Sequence, residues 1–480
     1  MNLLLERNHS RRPHGPQGLP VIGTNVEFAR NPLNFLTNAH RQYGNLVTLP
    51  INGRKVMAAF GPAETETVVN SYGTDVDIVM AGGVDVPVKH NLQGRGPLNT
   101  SGAEHAFYRD VAARALRGES AQSYVAIVAE MTERMLDSWV IGSEVDLMPE
   151  MISFIHRVFK FYMFGTDLVA EDQELNAAVD LYISVLESYR YRIGSTLLPW
   201  DLPGLSKSST LRRHMALIDE RIREIGAGAR RTPRFSLAEA FLSQLADTEA
   251  ADDAALVREM MLQMYFAGLT SVASTIVWTL LMLAMHPAVA RRQIDETQTA
   301  LAGRIPLLRD LRQLPWLDAV INESMRLYPG SAFEFKKLVG PLNVGGYDLP
   351  EHCAVMLTPW VTWRSTESFA DPDLFLPERF ADGRKEYAKG AFAPWGYGSR
   401  SCIGKVLARC AVTAVIAGIG QRYRLGLVPG QTISPHAGLL GIRLLPRPGV
   451  RVTVNPQDGE TERSTVPLAG TVTGAVPGPF

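Results

Sequence analysis

Cysteine is scarce in this chain. Cys353, Cys402 and Cys410 are the only three in 480 residues, and no two have CxxC spacing. That excludes a disulfide framework and suits a reducing interior. An excess of one charge is also missing. Lys and Arg total 48 against 49 Asp and Glu, so nucleic-acid binding is not the main business. The opening "MNLLLERNHSRR" has three consecutive leucines before charges intervene, too few for a signal peptide or membrane anchor. No internal repeat, no Pro/Ser-rich linker within the body and no nucleotide- or flavin-binding stretch is visible. One apolar run, Met260 to Met285, is uncharged and long enough to span a bilayer. Gln263, Thr270, Ser271, Ser274, Thr275 and Thr279 dilute it, and no second such run exists. A helix apolar all round also suits the centre of a large protein. The expectation is a central helix, no membrane span and a cytoplasmic protein.

What the chain does have is 46% apolar and 20% charged residues, ordinary for a globular protein with a large core. "NLVTLPINGRKVMAAF" reads as a β-hairpin turning at Asn52-Gly53, and Pro62 suits the first turn of a helix. Amphipathic runs at 121–139, 151–164, 175–190 and 210–226 predict helices, with a helix-breaking loop in between that carries Leu197, Leu198 and Trp200. Strands are expected at 352–358 and 441–454, the latter with "RPG" turning a second hairpin. The whole predicts a flexible segment 1–14, a single mainly α body with small β-sheets (α+β) over 15–455, and a disordered tail 456–480.

The stretch "APWGYGSRSCIGK", 393–405, sets Cys402 among glycines. "KVLARCAVTAVIAGI" after it reads as a helix, so Cys402 precedes a helix N-terminus, where free N–H groups stabilise an anion. A thiolate is the metal-binding form of cysteine. Gly396, Gly398 and Gly404 let backbone approach something large and flat, and Arg400 offers a fork of donors for a carboxylate. Together they suit a haem, with iron on the sulfur and propionates on the arginine. A buried free cysteine at a helix start, as Cys410 reads, is the plainer alternative.

"WGYGSRSCIGKVLA" resembles the haem-ligand signature of the cytochromes P450, Phe-x-x-Gly-x-Arg-x-Cys-x-Gly-x-x-x-Ala. Gly398, Arg400, Cys402, Gly404 and Ala408 match, and Trp395 stands in the Phe position. The other signatures follow in order. "ESMR" supplies the E-x-x-R pair, Glu323 and Arg326, and the resemblance implies that Arg379 of "PERF" completes a buried triad that supports the haem loop. The same spacing at Glu187/Arg190, Glu220/Arg223 and Glu460/Arg463 reads as solvated. In "SGAEHAFYRD", Ser101 and Glu104 have capping-box spacing, and His105 and Arg109 lie one helical turn apart. The resemblance assigns that pair to the haem propionates, with Lys336 or Lys337 where the family often has arginine.

On the oxygen side, "FAGLTSVAS" resembles Ala-Gly-x-Asp/Glu-Thr. Ala267 and Gly268 match, Thr270 takes the acid position and Ser271 the threonine position. No carboxylate occurs between Glu259 and Asp295. Proton relay is left to Ser271, with Thr270 beside it, against the alternative that both hydroxyls bond back to the helix. The resemblance implies the triangular, mainly helical P450 fold and a haem b monooxygenase. It would take O2 and electrons from a separate ferredoxin or ferredoxin-reductase type of donor and act on an apolar small molecule such as a terpenoid, polyketide or fatty acid. The basic loop of Arg384, Lys385 and Lys389 is a candidate attractant for an acidic carrier. The loops 75–100 and 195–205, with Tyr182, Tyr189 and Tyr191, resemble the family's pocket walls. Rival readings are a haem-thiolate enzyme of atypical chemistry (peroxide use, rearrangement or coupling) and a haem electron carrier or sensor.

Overall fold

The computed structural model describes residues 13–19, 23–51, 53–71, 76–78, 94–187, 209–229, 232–437 and 443–459. Its axis is the helix Ala254–Met285, which contains no proline and starts where the Asp253 carboxylate accepts from Leu256 N–H at 2.9 Å. Among the described residues it is the one helix long and apolar enough to cross a membrane. It is surrounded by protein instead. Leu98 N–H donates to Gln263 at 3.0 Å, and Ser274 donates to the Leu444 carbonyl at 2.6 Å. Gln263 and Ser274, two of the polar residues that interrupt the run, therefore face protein partners within a core.

The predicted amphipathic helices form around this axis. Gly118–Ser138 buries Val125, Val128, Met131 and Met135, one stripe at helical spacing. Leu147–Phe164, Pro315–Leu327 and Lys405–Arg422 pack directly on the central helix. Pro62 opens the helix Pro62–Asn70, as its fixed φ suits. The expected hairpin pairs Leu46–Ile51 with Arg54–Ala59, and Gly53 takes φ 70° in the turn. Arg54–Ala59 then runs parallel to Ala354–Leu357, which pairs with Glu334–Leu338, so the sheet carries Lys336 into the body.

Two local expectations fail. "RPG" turns no hairpin: Leu444–Pro446 pairs with Pro435–Ala437, whereas Arg451–Pro456 pairs with Tyr423–Leu427 and Glu144–Asp146 in another sheet. Pro446 and Pro448 lack the N–H that a ladder between the two strands would need. Ser101 precedes the helix Gly102–Ala115 without a side-chain cap, and Gly102 enters the first turn at φ 59°, away from helical values. A full capping box forms at Ser236 and Glu239.

The E-x-x-R pair closes inside the core. Arg326 Nε and Nη2 meet the Glu323 carboxylate at 2.7 and 2.8 Å, and neither side chain is exposed. The remaining donors of Arg326 reach the carbonyls of Trp363, Pro372 and Leu374. Arg379 Nε lies 3.5 Å from Glu323, and its Nη2 donates to the Asp371 carbonyl at 2.7 Å. Glu323 also accepts from Leu376 N–H at 2.8 Å. The triad thereby staples the helix Pro315–Leu327 to the segment 363–379, which leads to the cysteine loop. Glu220 and Arg223, with the same spacing, are exposed.

Glu323→Ala strands two desolvated guanidinium groups. It is expected to cost about 3–5 kcal/mol, read as a lowered denaturation midpoint. Glu220→Ala should leave the midpoint unchanged, and equal midpoints for the two variants would refute the buried-triad account.

Candidate active site

The cysteine loop is shaped by its glycines. Gly396 and Gly398 take φ 72° and 53°, a left-handed region that other residues enter at a cost. They fold the loop so that Cys402 N–H donates to the Trp395 carbonyl at 2.6 Å. Gly404 is the N-cap of Lys405–Arg422, so Cys402 lies two residues before that helix, where the Gly404 backbone N–H favours the thiolate. Desolvation pushes the thiol pKa up, while that N–H, Arg109 and Lys405 act against the rise. Cys402 has an accessible face, and it lines an internal cavity. By contrast, burial pushes Cys410 to about 11 with no such helix-start donor, which fits an inert core thiol.

The cavity measures about 340 Å³. Ala267, Gly268, Ser271, Val272 and Thr275 of the central helix form one wall. Trp395, Arg400, Cys402, Gly404 and Leu407 form another. His105 and Arg109 enter from the helix Gly102–Ala115, and Lys336 from its strand. Positions hundreds of residues apart in sequence thus converge on one space.

The chain and its fold resemble those of known proteins. The Cytochrome P450 family profile matches residues 13–453. The chain belongs to the cytochrome P450 family. Cyclooctatin synthase of Streptomyces melanosporofaciens is 28% identical over 92% of this chain and 96% of the relative. Pentalenene oxygenase of Streptomyces avermitilis is 25% identical over 88% and 93%. The structure of a retinoic acid-bound cyanobacterial P450, CYP120A1, superposes with TM-score 0.76 at 21% identity, covering 94% of this chain and all of that one. The fold is accordingly the mainly helical P450 fold, and the protein is an oxidoreductase of the P450 monooxygenase class, a family that carries haem.

The donor set of this P450 fits that group. Burial and the nearby Arg400 charge both hold the Arg109 pKa below its ordinary value, so a carboxylate brought between them would relieve two penalties. Arg109 Nη2 donates to Ser401 at 3.1 Å, and Arg400 donates to the carbonyls of Pro97 and Thr100 at 3.0 and 2.9 Å. A Cβ on Gly404 would meet no protein atom within 4 Å, which leaves room for a flat group over the loop. Lys336 is buried, with its ammonium 2.8 Å from Glu334.

Two predicted residues stand apart. Thr270 lies off the stripe of 264, 267, 268, 271, 272 and 275 that faces the cavity. Gly398 does not border the cavity and serves the turn. Tyr182 is core, fully buried. Tyr189, Tyr191, Trp200 and the loop 195–205 lie outside the described residues, as does most of 75–100. The end of that loop is anchored: Arg95 bridges Asp253 at 2.7 Å and Glu259 at 2.9 Å, and Gln263 donates to the Arg95 carbonyl. In the basic loop, Lys389 pairs with Glu66 at 2.5 Å and Arg384 with Glu386 at 3.4 Å, which offsets much of its charge. Glu334 escaped the sequence reading, although its position two residues before Lys336 on a strand puts both on one face. Phe159 and Arg443 also escaped it.

Phe159 changes the account of Gly268. A Cβ there would lie 2.4 Å from Phe159 Cζ, so the glycine admits an aromatic ring from Leu147–Phe164 against the central helix. Gly268→Ala should therefore destabilise by about 1–3 kcal/mol. Phe159→Leu in the same chain should recover most of that loss in thermal denaturation. A double variant no more stable than Gly268→Ala would contradict this packing explanation.

Proposed function

We propose that this P450 inserts one atom of O2 into a C–H bond or alkene of an apolar, terpenoid-like molecule, with the Cys402 thiolate as iron ligand of haem b. The observation that carries the reading is the accessible sulfur of Cys402, at a helix N-terminus, in a cavity shared with Ser271 and bordered by Arg109 and Arg400. The overall change is balanced as substrate-H + O2 + 2 electrons + 2 protons giving substrate-OH + water. Bound haem supplies the oxygen chemistry, and thiolate ligation favours O–O cleavage.

The residues have separable tasks. Arg109, Arg400 and His105 hold the propionates, with Lys336 adding positive charge nearby. Trp395 packs by the sulfur, and the Gly404 N–H tempers its charge. Ala267 and Gly268 form the small-residue wall on the oxygen side. Ser271 carries the hydroxyl that passes protons toward the cavity. Leu98, Phe159, Met264 and Val272 give the substrate an apolar surround. Relatives named for pentalenene and taxanes support a terpenoid-like skeleton. Electrons come from a separate donor of the ferredoxin and ferredoxin-reductase type, in the cytoplasm.

A second reading, peroxide-driven or otherwise atypical chemistry, draws on the helix itself, which has no carboxylate from Met260 to its end at Met285. Turnover with an electron chain but not with hydrogen peroxide separates the two in favour of oxygen insertion.

The reduced, carbon monoxide-treated protein should show the thiolate-type absorption band. Cys402→His should lose that band while Cys410→Ser keeps it. An imidazole-type band in the unmodified protein, or no porphyrin after purification, would refute the assignment.

A further inference from the structure

We infer that Arg443 is the positioning residue that turns the Ser271 hydroxyl toward the cavity; this rests on the reading of Ser271 as the group facing bound oxygen.

Arg443 is far from the central helix in sequence, yet its place there is fixed. Its neighbour Leu444 presents a carbonyl that accepts from Ser274 at 2.6 Å and from Trp278 Nε1 at 3.3 Å. Trp278 is itself locked, stacked on Tyr328 with ring centroids 3.8 Å apart. From that anchorage the guanidinium reaches along the helix. Nη2 donates to the Phe266 carbonyl at 2.8 Å, and Nη1 to the Ala267 carbonyl at 3.0 Å and to Ser271 Oγ.

Ser271 Oγ is also within donating distance of the Ala267 carbonyl and is hydrogen-bonded to it at 2.9 Å, the back-bond open to any serine in a helix. Two donors thus compete for one acceptor. A carbonyl oxygen has two lone pairs, and helix geometry commits one to the N–H four residues on, that of Ser271 itself. The charge-assisted donor takes the second in preference to a neutral hydroxyl. Arg443 also fills a lone pair of Ser271 Oγ, so the hydroxyl is left to act as a donor. The acceptor it would otherwise use is engaged, and the open direction is the cavity that Ser271 lines. Arginine holds its charge throughout, so it orients the hydroxyl and transfers no proton.

The test uses the full-length, haem-loaded ferric protein, titrated with cyanide, a small anion able to accept from Ser271, and with imidazole as a neutral control. Arg443→Met should weaken cyanide binding about tenfold, the scale of one hydrogen bond to a charged group, and imidazole less than about twofold. Arg443→Lys, which keeps a cation on the same anchored backbone, should recover part of the loss. Ser271→Ala should weaken cyanide similarly. Adding Arg443→Met to Ser271→Ala should change little more, because the arginine acts through the hydroxyl. Additive losses, equal losses for cyanide and imidazole, or a Ser271→Ala protein with undiminished cyanide affinity would each overturn the inference. The carbon monoxide band of each variant reports separately on haem-thiolate binding, so a failure there belongs to the broader functional reading.

Discussion

The structure turns on how the sulfur of Cys402 is surrounded at a helix start. Desolvation drives the Cys402 thiol toward its neutral form. Only preorganised dipoles and charges offset this, and the fold supplies them at fixed positions. The helix Lys405–Arg422 brings an N–H to the sulfur through Gly404, and Arg109 brings a guanidinium. A loop held by hydrogen bonds of its own keeps the geometry, and the Glu323–Arg326–Arg379 triad holds the segment leading into it. The triad is a poor investment as a source of net stability, because buried charges lose much hydration. Its value lies in geometry: one guanidinium satisfies three carbonyls that no regular element would pair.

The central helix meets a complementary demand. It must be apolar enough to pass through the core and bare enough on one face to border a reaction space. Several of its polar side chains are satisfied by protein and so do not weaken the core: Gln263 holds the loop that carries Arg95, Ser274 holds Leu444, and Thr275 bonds back to the Ser271 carbonyl. The long uncharged run that resembled a membrane span is thus the fold's axis.

Much of the site was legible because local physics leaves local marks. Positive-φ positions call for glycine, a helix start follows the cysteine, and E-x-x-R pairs on one face, so Cys402, Gly396 and Glu323 could be read from short windows. Gly268 was legible as a requirement for space, but its occupant was not, since the ring of Phe159 comes from a helix about a hundred residues earlier. Strand partners were similarly hidden. The residues near "RPG" are apolar enough for strands, but their partners are Pro435–Ala437 and Tyr423–Leu427, which no turn motif encodes. Arg443 had no signal at all: an arginine in "GIRLLPRPG" is ordinary until the fold lays it on the central helix.

That arginine alters the electrostatics of the oxygen side. A helix with an acid in the family position would place a titratable negative charge near the reaction space. Here the position holds Thr270, turned off the cavity face, and the nearest strongly held charge on the described surface of Ala267 and Ser271 is a permanent cation. A guanidinium keeps its protons, but it can decide which way a hydroxyl points and favour negative charge that develops beside it. On the proposed reading, an oriented hydroxyl takes the place of a titrating side chain, and its orientation is set by Arg443, which directly precedes the strand Leu444–Pro446.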